Sequence, residues 1–375
     1  MTTKLRQARH ELGWSQDRVI RELRKRSAAL RVQLGSDASV KTQISRHENG
    51  RIAPDRDWRH AYRLVYGRTG RDLGFSQPDL AQQDAGEELS ARLAAARSVS
   101  LTEVTIIRQQ VGGIRALDRQ LGAPAVLEQL RALIATTTGL LAYSLRPGIR
   151  EPLAAVLADA GALAGWQALD VGSPARAWQH FETAKAAARE ARSDALLAHA
   201  MGEQSFALLD AGDTAGAAEL TAEARSLAQG VPPLLAAWLH AAEAETHSAA
   251  GKDNECRRAL DAAAAALPAD TTDPDLPFIF LSGTHLARWR GNCLARLGDP
   301  AAIEHSLAAL AAMDVTFTRA EAGLRCDLAQ AMLILGEQHE AAQHLRTARE
   351  LVLRVGSVRQ RRRAQHLAQQ LTREP

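Results

Sequence analysis

Aromatic residues make up only 4% of this chain, and its three cysteines, Cys256, Cys293 and Cys326, lie far apart. The scarcity of aromatic residues disfavours a large β-sandwich, because strands favour aromatic and β-branched side chains. An odd number of cysteines without CxxC spacing argues against a disulfide framework or a zinc site, so we expect buried thiols. No run of eighteen apolar residues occurs, and no apolar segment follows the first residues, so the sequence predicts neither a membrane span nor a signal peptide.

The motifs of common enzyme chemistry are also missing. The sequence has no Gly-rich phosphate loop, no H-E-x-x-H, no G-x-S-x-G and no paired carboxylates on a short motif. Its 12 histidines are scattered without the spacing of metal ligands. We therefore expect no enzymatic activity, no metal and no cofactor.

Small aliphatic residues are what the chain has in excess. Hydrophobic residues account for 46% of the 375 positions, and alanine is abundant. The chain is too long for one ordinary core, and small side chains favour close contact between helices. The sequence predicts an all-α protein built as two units or as an extended array.

Charge divides the chain into two parts. Residues 1–71 contain 17 Lys and Arg but only 7 Asp and Glu, a net charge of +10, while the whole chain carries +3 and residues 72–375 therefore −7. A basic piece joined to an acidic remainder indicates two roles on one chain. The basic piece is expected to bind a polyanion, since phosphate neutralisation supplies most non-specific affinity. The alternative is a solvated basic surface without a nucleic-acid partner.

The segment 39–50, S-V-K-T-Q-I-S-R-H-E-N-G, has the pattern of a short helix with two different faces. Val40, Ile44 and His47 would lie on the apolar face, and Asn49-Gly50 would end the helix. The outer face would carry amide, hydroxyl and cationic side chains, which can bond to base edges or phosphates: Lys41, Thr42, Gln43, Ser45 and Arg46. The segment predicts a helix that enters the major groove of double-stranded DNA.

Residues 1–71 have the pattern of four or five short helices. Ser15 is a good N-cap for the second helix, Ser39 is expected to cap the third, and Pro54-Asp55 precedes the fourth. Arg51 follows the third helix and is counted with the DNA-binding residues. The residues expected to face the core are Leu5, Ala8, Leu12, Val19, Leu23, Leu30, Trp58, Ala61, Tyr62, Leu64 and Val65.

The order Leu5…Arg9…Gly13-Trp14-Ser15-Gln16…Ile44-Ser45-Arg46…Glu48-Asn49-Gly50…Pro54 resembles the lambda-repressor-like (Xre-type) helix-turn-helix over residues 4–66. The resemblance implies that Gln16 braces the domain on a phosphate. It also implies base or phosphate contacts for the outer residues of the third helix, and a pair between Arg9 and Glu48 inside the domain. We give Glu48 a structural role, because a carboxylate that faced DNA phosphates would be repelled.

One spacing departs from that family. Gln16 and Ile44 lie 28 positions apart, which is more than is usual between these two motif residues. The extra stretch, about Arg24 to Asp37, is basic and is expected to lengthen helix two and its turn. Its cations, Arg24 and Lys25 among them, either contact the DNA backbone or face solvent.

Residues 100–375 have the pattern of a repeated helical hairpin. Glycines that end helices recur at spacings of 38 to 47 residues, at Gly172, Gly212, Gly251, Gly298 and Gly336. Residues five and twelve positions later should press on the neighbouring helix: Ala177/Ala184, Ala217/Ala224, Cys256/Ala263, Ile303/Leu310 and Ala341/Ala348. The pattern resembles tetratricopeptide-like hairpins, which must stack because one hairpin cannot bury its own apolar face. A first hairpin, 100–121 and 124–144, would start the stack.

Two segments interrupt or follow the hairpins. Residues 268–283 contain three prolines, which forbid a regular helix, and the apolar run F-I-F-L at 278–281. That run either fills the gap between the third and fourth hairpins or lines a ligand pocket. The basic tail at 359–363 is expected to be a solvated helix that caps the last hairpin, with docking onto DNA or an acidic partner as the alternative.

The runs G-W-Q-A-L-D-V-G (165–172), H-L-A-R-W-R-G (285–291), R-A-E-A-G-L-R-C-D-L-A (319–329) and G-S-V-R-Q-R-R-R (356–363) resemble long actinobacterial Xre-type regulators with a tetratricopeptide-like C-terminal half. The resemblance implies a cytoplasmic, nucleoid-associated transcription factor. We expect a homodimer that reads a pseudo-palindromic operator. The expected division is 1–75 for DNA binding, 76–99 as a linker and lead-in helix, and 100–375 as an α-solenoid for dimerisation and effector sensing.

The solenoid would sense a peptide, a small molecule or a protein partner, and regulators of this kind often sense peptides. Polar and aromatic residues on its inner helices are the candidates for that contact: His199, Gln204, Trp238, His240, Glu243, His285, Arg288, Trp289, Asn292 and Arg325. The alternative function, from a different class, is a repeat-built protein-interaction scaffold whose DNA-binding head is secondary.

Overall fold

The structure is a computed structural model, which describes residues 3–27, 32, 34–75, 80–227 and 230–372. Within those ranges the chain is helical and contains no strand. It divides into two compact units, Met1–Arg92 and Leu93–Pro375, here called the N-terminal unit and the repeat unit. The division falls inside the 76–99 segment that the sequence assigns to a linker and lead-in helix.

Four short helices build the core of the N-terminal unit: α1 (Lys4–Glu11), α2 (Gln16–Lys25), α3 (Asp37–Glu48) and α4 (Arg56–Tyr66). A longer helix, α5 (Leu80–Ser98), crosses the division between the two units. Each of the first four begins at a side chain that accepts a backbone N–H bond and so satisfies a donor the helix leaves unpaired: Thr3, Ser15, Ser36 and Asp55.

The structure corrects two expectations for the N-terminal unit, which concern the N-cap residue of α3 and the length of α2. Ser36, not Ser39, caps α3, and it accepts a bond from the Ser39 backbone N–H. The basic stretch does not lengthen α2, which ends at Lys25. Val32 and Leu34 pack against the core of the unit, while residues 28–31 and 33 of the stretch lie outside the described residues.

The core of the N-terminal unit contains most of the predicted inward-facing residues, including Val19, Leu23 and Tyr62, which are fully buried. Leu12 and Leu64 are exposed, so these two predictions were wrong. Leu30 lies outside the described residues.

The repeat unit begins with α6 (Leu101–Leu121), a 3₁₀ turn at Ala123–Ala125 and α7 (Leu127–Tyr143). Five hairpins and a final helix follow: α8 (Pro147–Asp170) with α9 (Pro174–Glu190), α10 (Asp194–Ala211) with α11 (Thr214–Leu227), α12 (Pro233–Ala249) with α13 (Asp253–Ala266), α14 (Gly283–Leu297) with α15 (Ala301–Ala312), α16 (Thr318–Ile334) with α17 (Gln338–Val355), and α18 (Val358–Leu371).

The predicted small residues hold four of these hairpins together. All five glycines between the paired helices have positive φ, which glycine adopts without strain. Ala177 and Ala184 are fully buried, as are the corresponding pairs in the second, third and fifth hairpins. The fourth hairpin departs by one position: Ala302 and Ala309 are buried, while Ile303 and Leu310 are only half-buried.

The last helices of the repeat unit return to the first ones. Helix α6 contacts α16 and α17, and α8 contacts α18. Gly122 has φ +84°, and a Cβ there would lie 1.9 Å from the carbonyl oxygen of Val355. The hairpins therefore form a closed superhelix, a contact between the two ends of the repeat unit that the hairpin pattern does not predict.

Helix α8 is the most apolar long helix of the described chain. By length and composition it could cross a membrane, and 83% of its most apolar window is buried inside the repeat unit. A mostly apolar helix at the centre of a stack is expected, since both of its sides contact other helices. The three cysteines are free and buried, as predicted.

Candidate functional site

Helix α3 presents one face to the core and the other to solvent. Val40, Ile44 and His47 are buried, and His47 Nδ1 lies 2.9 Å from the Tyr62 hydroxyl. Burial lowers the pKa of His47, which keeps its ring neutral at pH 7. On the opposite side, the exposed residues are Lys41, Thr42 and Arg46, and the half-buried ones are Gln43 and Ser45.

Short local contacts fix several of these outer side chains. The Lys41 ammonium lies 2.8 Å from Asp17 of α2. The Thr42 hydroxyl donates to the Ala38 carbonyl at 2.9 Å, and Asn49 Nδ2 donates to the Ser45 carbonyl at 2.8 Å. The outer face is therefore an ordered row of polar side chains on a rigid helix.

A buried ion pair holds the C-terminal end of α3 against α1 and α2. Arg9 Nε and Nη2 donate to the two carboxylate oxygens of Glu48 at 2.6 and 2.9 Å, and this contact raises the pKa of Arg9. Gln16 Nε2 donates to the same carboxylate at 2.9 Å. An amide nitrogen has two hydrogens, so Gln16 keeps a second one for another acceptor.

The cations of the basic stretch lie beside α3 but have partners of their own. Arg24 donates to Asp37 at 2.9 Å and to the Leu34 carbonyl at 3.3 Å, which ties the end of α2 to the start of α3. Lys25 donates to Glu22 at 3.1 Å. Arg51, just beyond α3, is exposed.

The closed superhelix of the repeat unit surrounds a cavity of about 530 Å³. The candidate effector residues that line it are Trp238, His285, Arg288, Trp289 and Asn292. Arg325, also a candidate, is not among the lining residues, because its guanidinium bonds to Glu321 on its own helix at 2.7 Å. Of the other inner-helix candidates, His199 contacts Trp238 and Phe278, and Gln204 hydrogen-bonds to neighbouring side chains. His240 Nδ1 lies 3.6 Å from the Glu243 carboxylate.

The 268–283 segment both fills the gap between hairpins and lines the cavity, which are the two roles that the sequence left open. Ile279 and Leu281 are buried and fill the space between hairpins, while Phe278 and Phe280 line the cavity. The alternation has a simple cause, since successive side chains of an extended segment point to opposite sides.

The basic tail is a helix that packs on the last hairpin, as expected, but it also faces the cavity, so the expectation that it is simply solvated was wrong. Arg359 lies 3.1 Å from Asp210 of α10, and Arg363 lies 2.5 Å from Asp327 of α16. Arg361 and Arg362 are both exposed, and of the two only Arg362 lines the cavity. The closed superhelix explains the difference, because α18 packs across the open side of the inner helices.

Sequence reasoning missed several residues of the cavity. Arg119 comes from α6, Trp166 from α8, Glu203 from α10 and Arg319 from α16. Burial raises the pKa of the Glu203 carboxyl to about 8. No spacing in the sequence brings these positions together, because they meet only when the superhelix closes. Within the described chain, no group of three or more His, Cys, Asp or Glu side chains is placed to hold a metal ion.

Comparisons with known proteins give no family. No family model matches the chain, and no curated protein matches it. Among solved structures, a Podosopora anserina putative kinesin light chain with nearly identical TPR-like repeats aligns over 51% of this chain and 92% of its own at 15% identity and a TM-score of 0.35. A TPR domain solved at 2.5 Å aligns over 96% and 99% at 12% identity and a TM-score of 0.26. TM-scores this low do not show a shared fold. The repeat unit is described as stacked helical hairpins because of its own helices and their contacts.

Proposed function

We propose that this protein is a sequence-specific DNA-binding transcriptional regulator that acts as a homodimer. The outer face of α3 carries the proposal, with Gln43 and Arg46 among its polar side chains and a fully buried opposite side. An α-helix with side chains fits the major groove in diameter. Gln can make a bidentate contact with adenine, and Arg or Lys with guanine. The family resemblance of residues 4–66 points to the same use of this helix.

The charge of the N-terminal unit also favours DNA as the partner of α3. The first 71 residues carry a net charge of +10, which favours a phosphate backbone as partner. The pair between Lys41 and Asp17 is about half exposed on each side. Exposed pairs contribute little stability, so Lys41 exchanges Asp17 for a phosphate or base at little cost. Thr42, Ser45 and Arg51 complete the DNA-facing group.

Gln16, Arg24 and Lys25 have supporting roles in the proposal. Gln16 braces the domain on a phosphate with its free amide hydrogen, while its other hydrogen stays on Glu48. Arg24 positions the segment before α3 through Asp37 and the Leu34 carbonyl. Lys25 is itself two-thirds exposed although its partner Glu22 is nearly buried, and it remains a candidate for a backbone contact.

The repeat unit supplies dimerisation and effector sensing in this proposal. Leu117 and Leu121 of α6 and Leu353 of α17 are exposed on two helices that contact each other, so they offer an apolar surface to a second copy. A two-fold dimer reads a pseudo-palindromic operator whose half-sites lie about one helical turn, or a multiple, apart. An effector that binds one dimer geometry better than the other shifts the spacing of the two DNA-binding heads.

A salt titration of the full chain on duplex DNA tests the proposal. Affinity should fall steeply with rising salt, and Arg46→Gln should weaken it about tenfold or more, since a charge-assisted contact is lost. The matched control is Arg68→Gln, which removes the same charge from a guanidinium bonded to Glu11 at the end of α1. Equal weakening by both variants would mean that net charge alone drives binding.

A protein-interaction scaffold is the second candidate. It is favoured by the stacked hairpins, which expose large apolar side chains such as Leu353 of α17 at 76% and Val315, in the turn between α15 and α16, at 91%. Repeat stacks of this kind offer extended surfaces to partners. In the same titration a scaffold would show no duplex affinity that depends on Arg46.

A further inference from the structure

Two arginines in the cavity of the repeat unit have no carboxylate at ion-pair distance within the described part of the chain. Arg119 lies over the rings of Phe280 and Phe317, with its guanidinium carbon 4.0 and 5.1 Å from their centroids. Arg288 lies 5.8 Å from the ring centroid of Trp289, and its Nε is buried without a hydrogen-bond partner. A buried cationic donor without an acceptor is costly, so an anion that enters the cavity would stabilise it.

Arg119 and Arg288 both act electrostatically on His285. Both lower the pKa of His285, which burial and their charges bring to about 4. The His285 ring lies 4.9 Å from the centroid of Phe317, which is also the ring beneath Arg119. Burial also lowers the pKa of both arginines themselves. The side chains around Phe317 therefore form a site of positive potential with aromatic walls.

The carboxylates near Arg288 are occupied by other donors. Asp327 accepts from Asn292 at 2.7 Å and pairs with Arg363. Glu245 accepts from the Trp289 indole at 2.7 Å and lies 3.6 Å from Arg296. These contacts leave both carboxylates near Arg288 without a direct bond to it.

The lining of the whole cavity also carries a net positive charge. Seven arginines and five carboxylates line it. One of the five, Glu203, is largely protonated at pH 7, because burial raises its pKa to about 8. The lining is therefore short of negative charge at neutral pH, and an anionic ligand would correct the imbalance.

Aromatic side chains concentrate in this cavity. The chain has only 6 tryptophans and 6 phenylalanines, and three of the former and four of the latter line this one space. Trp238 and Trp289 lie edge to face at 6.1 Å between centroids. Such walls favour a flat apolar body, which gains from stacking as well as from burial.

We propose that the cavity binds one small organic anion with an aromatic body, its acidic group held by Arg288 and Arg119 and its rings held among the cavity tryptophans and phenylalanines. A volume of about 530 Å³ lies in the range of single-ligand pockets. The inference names the ligand class for the sensing half of the proposed function, and the binding itself does not depend on DNA.

A pair of fluorescent probes with one body and two charges tests this inference. Anilinonaphthalene sulfonate supplies an aromatic anion, and phenylnaphthylamine supplies the same rings without the acidic group. Both are titrated into the full chain and into Arg288→Met. The matched control is Arg290→Met, on the same helix, because Arg290 does not line the cavity and bonds to Asp261 at 2.9 Å. Circular dichroism verifies that each variant is folded, and Arg119→Met replaces Arg288→Met if the latter is not.

We expect one saturable site that prefers the sulfonate. Arg288→Met should weaken the sulfonate about tenfold or more, as for the loss of a charge-assisted hydrogen bond, and should change the neutral probe by less than about twofold. Arg290→Met should change neither. Equal affinity for the two probes, or equal loss of both in the variant, would overturn the inference. Duplex binding measured on the same samples without probe separates its failure from that of the proposed function.

Discussion

Arg319 and Asp118 are 201 positions apart in the chain and form a buried ion pair, with Nη2 of the arginine 2.8 Å from Oδ2 of the aspartate. The same guanidinium lies 3.5 Å from Asp170. One side chain of α16 therefore joins α6 and α8, the helices at the start of the repeat unit. The cavity exists because this contact and its neighbours close the superhelix.

Replacing Arg319 by Met should lower the free energy of unfolding by about 3–5 kcal/mol. Removal of one partner of a buried pair leaves the other charges uncompensated, and the side chains of Asp118 and Asp170 are only 1% and 3% exposed. Urea unfolding of the full chain, followed by circular dichroism, measures the change. Arg325→Met on the same helix is the control, with an expected change within about 0.5 kcal/mol. Similar losses in the two variants would argue against a closing role for Arg319.

The buried Glu203 carboxyl should make stability fall as pH rises. Burial raises its pKa to about 8 in the folded chain, against an ordinary value of 4.5, although three arginines act in the opposite direction. The folded state therefore holds the proton more tightly, so the stability is full below the ordinary pKa and is lost as pH rises towards 8. The expected loss attributable to Glu203 is a few kcal/mol.

A comparison of wild type with Glu203→Gln isolates this effect. The variant should gain stability relative to wild type between pH values of about 5 and 8, because its amide does not ionise. Buried histidines act in the other direction: burial lowers the pKa of His199, whose Nε2 lies 3.7 Å from Glu203 Oε1, from 6.5 to about 3, so its effect on stability lies below a pH of about 6.5. Denaturant unfolding at the two pH values gives the difference. A difference that stays constant with pH would contradict the assignment.

Arg9→Met should loosen the N-terminal unit by about 3–5 kcal/mol, since Glu48 is only 2% exposed and would keep a buried charge. Hydrogen exchange of the amides of α1 and α3, read by mass spectrometry, reports this local free energy. Arg68→Met breaks a partly exposed pair with Glu11 and should cost less than about 1 kcal/mol. Unchanged exchange at the end of α3 in Arg9→Met would remove the reason for treating the pair as its anchor.

Local patterns made the helices of the chain predictable. The spacing of Val40, Ile44 and His47 is that of one helix face, and all three are buried. The glycines at the hairpin turns and the small residues after them follow from the same kind of local rule, since close helix packing needs small side chains. In the fourth hairpin the buried positions are shifted by one residue, to Ala302 and Ala309, and the glycine spacing alone does not predict that shift.

Long-range contacts were not predictable in the same way. Nothing in the sequence links Arg319 to Asp118, or Arg359 to Asp210, because each pair meets only after several hairpins have added their rotations. The tail arginines were therefore placed in solvent, although two of them pair inside the cavity. The same closure gathers the cavity residues from eight helices, which is why Arg119 and Glu203 were missed.

The most direct test of the α3 account is a selection of duplexes from a random library by the full chain, followed by sequencing. The account predicts enriched inverted repeats with half-sites about one helical turn, or a multiple, apart. It also predicts that Gln43→Ala relaxes the choice of base at one position in each half-site, at a cost of about 1–3 kcal/mol there. Failure to enrich any motif, or an enriched motif that survives replacement of both Gln43 and Arg46, would contradict it.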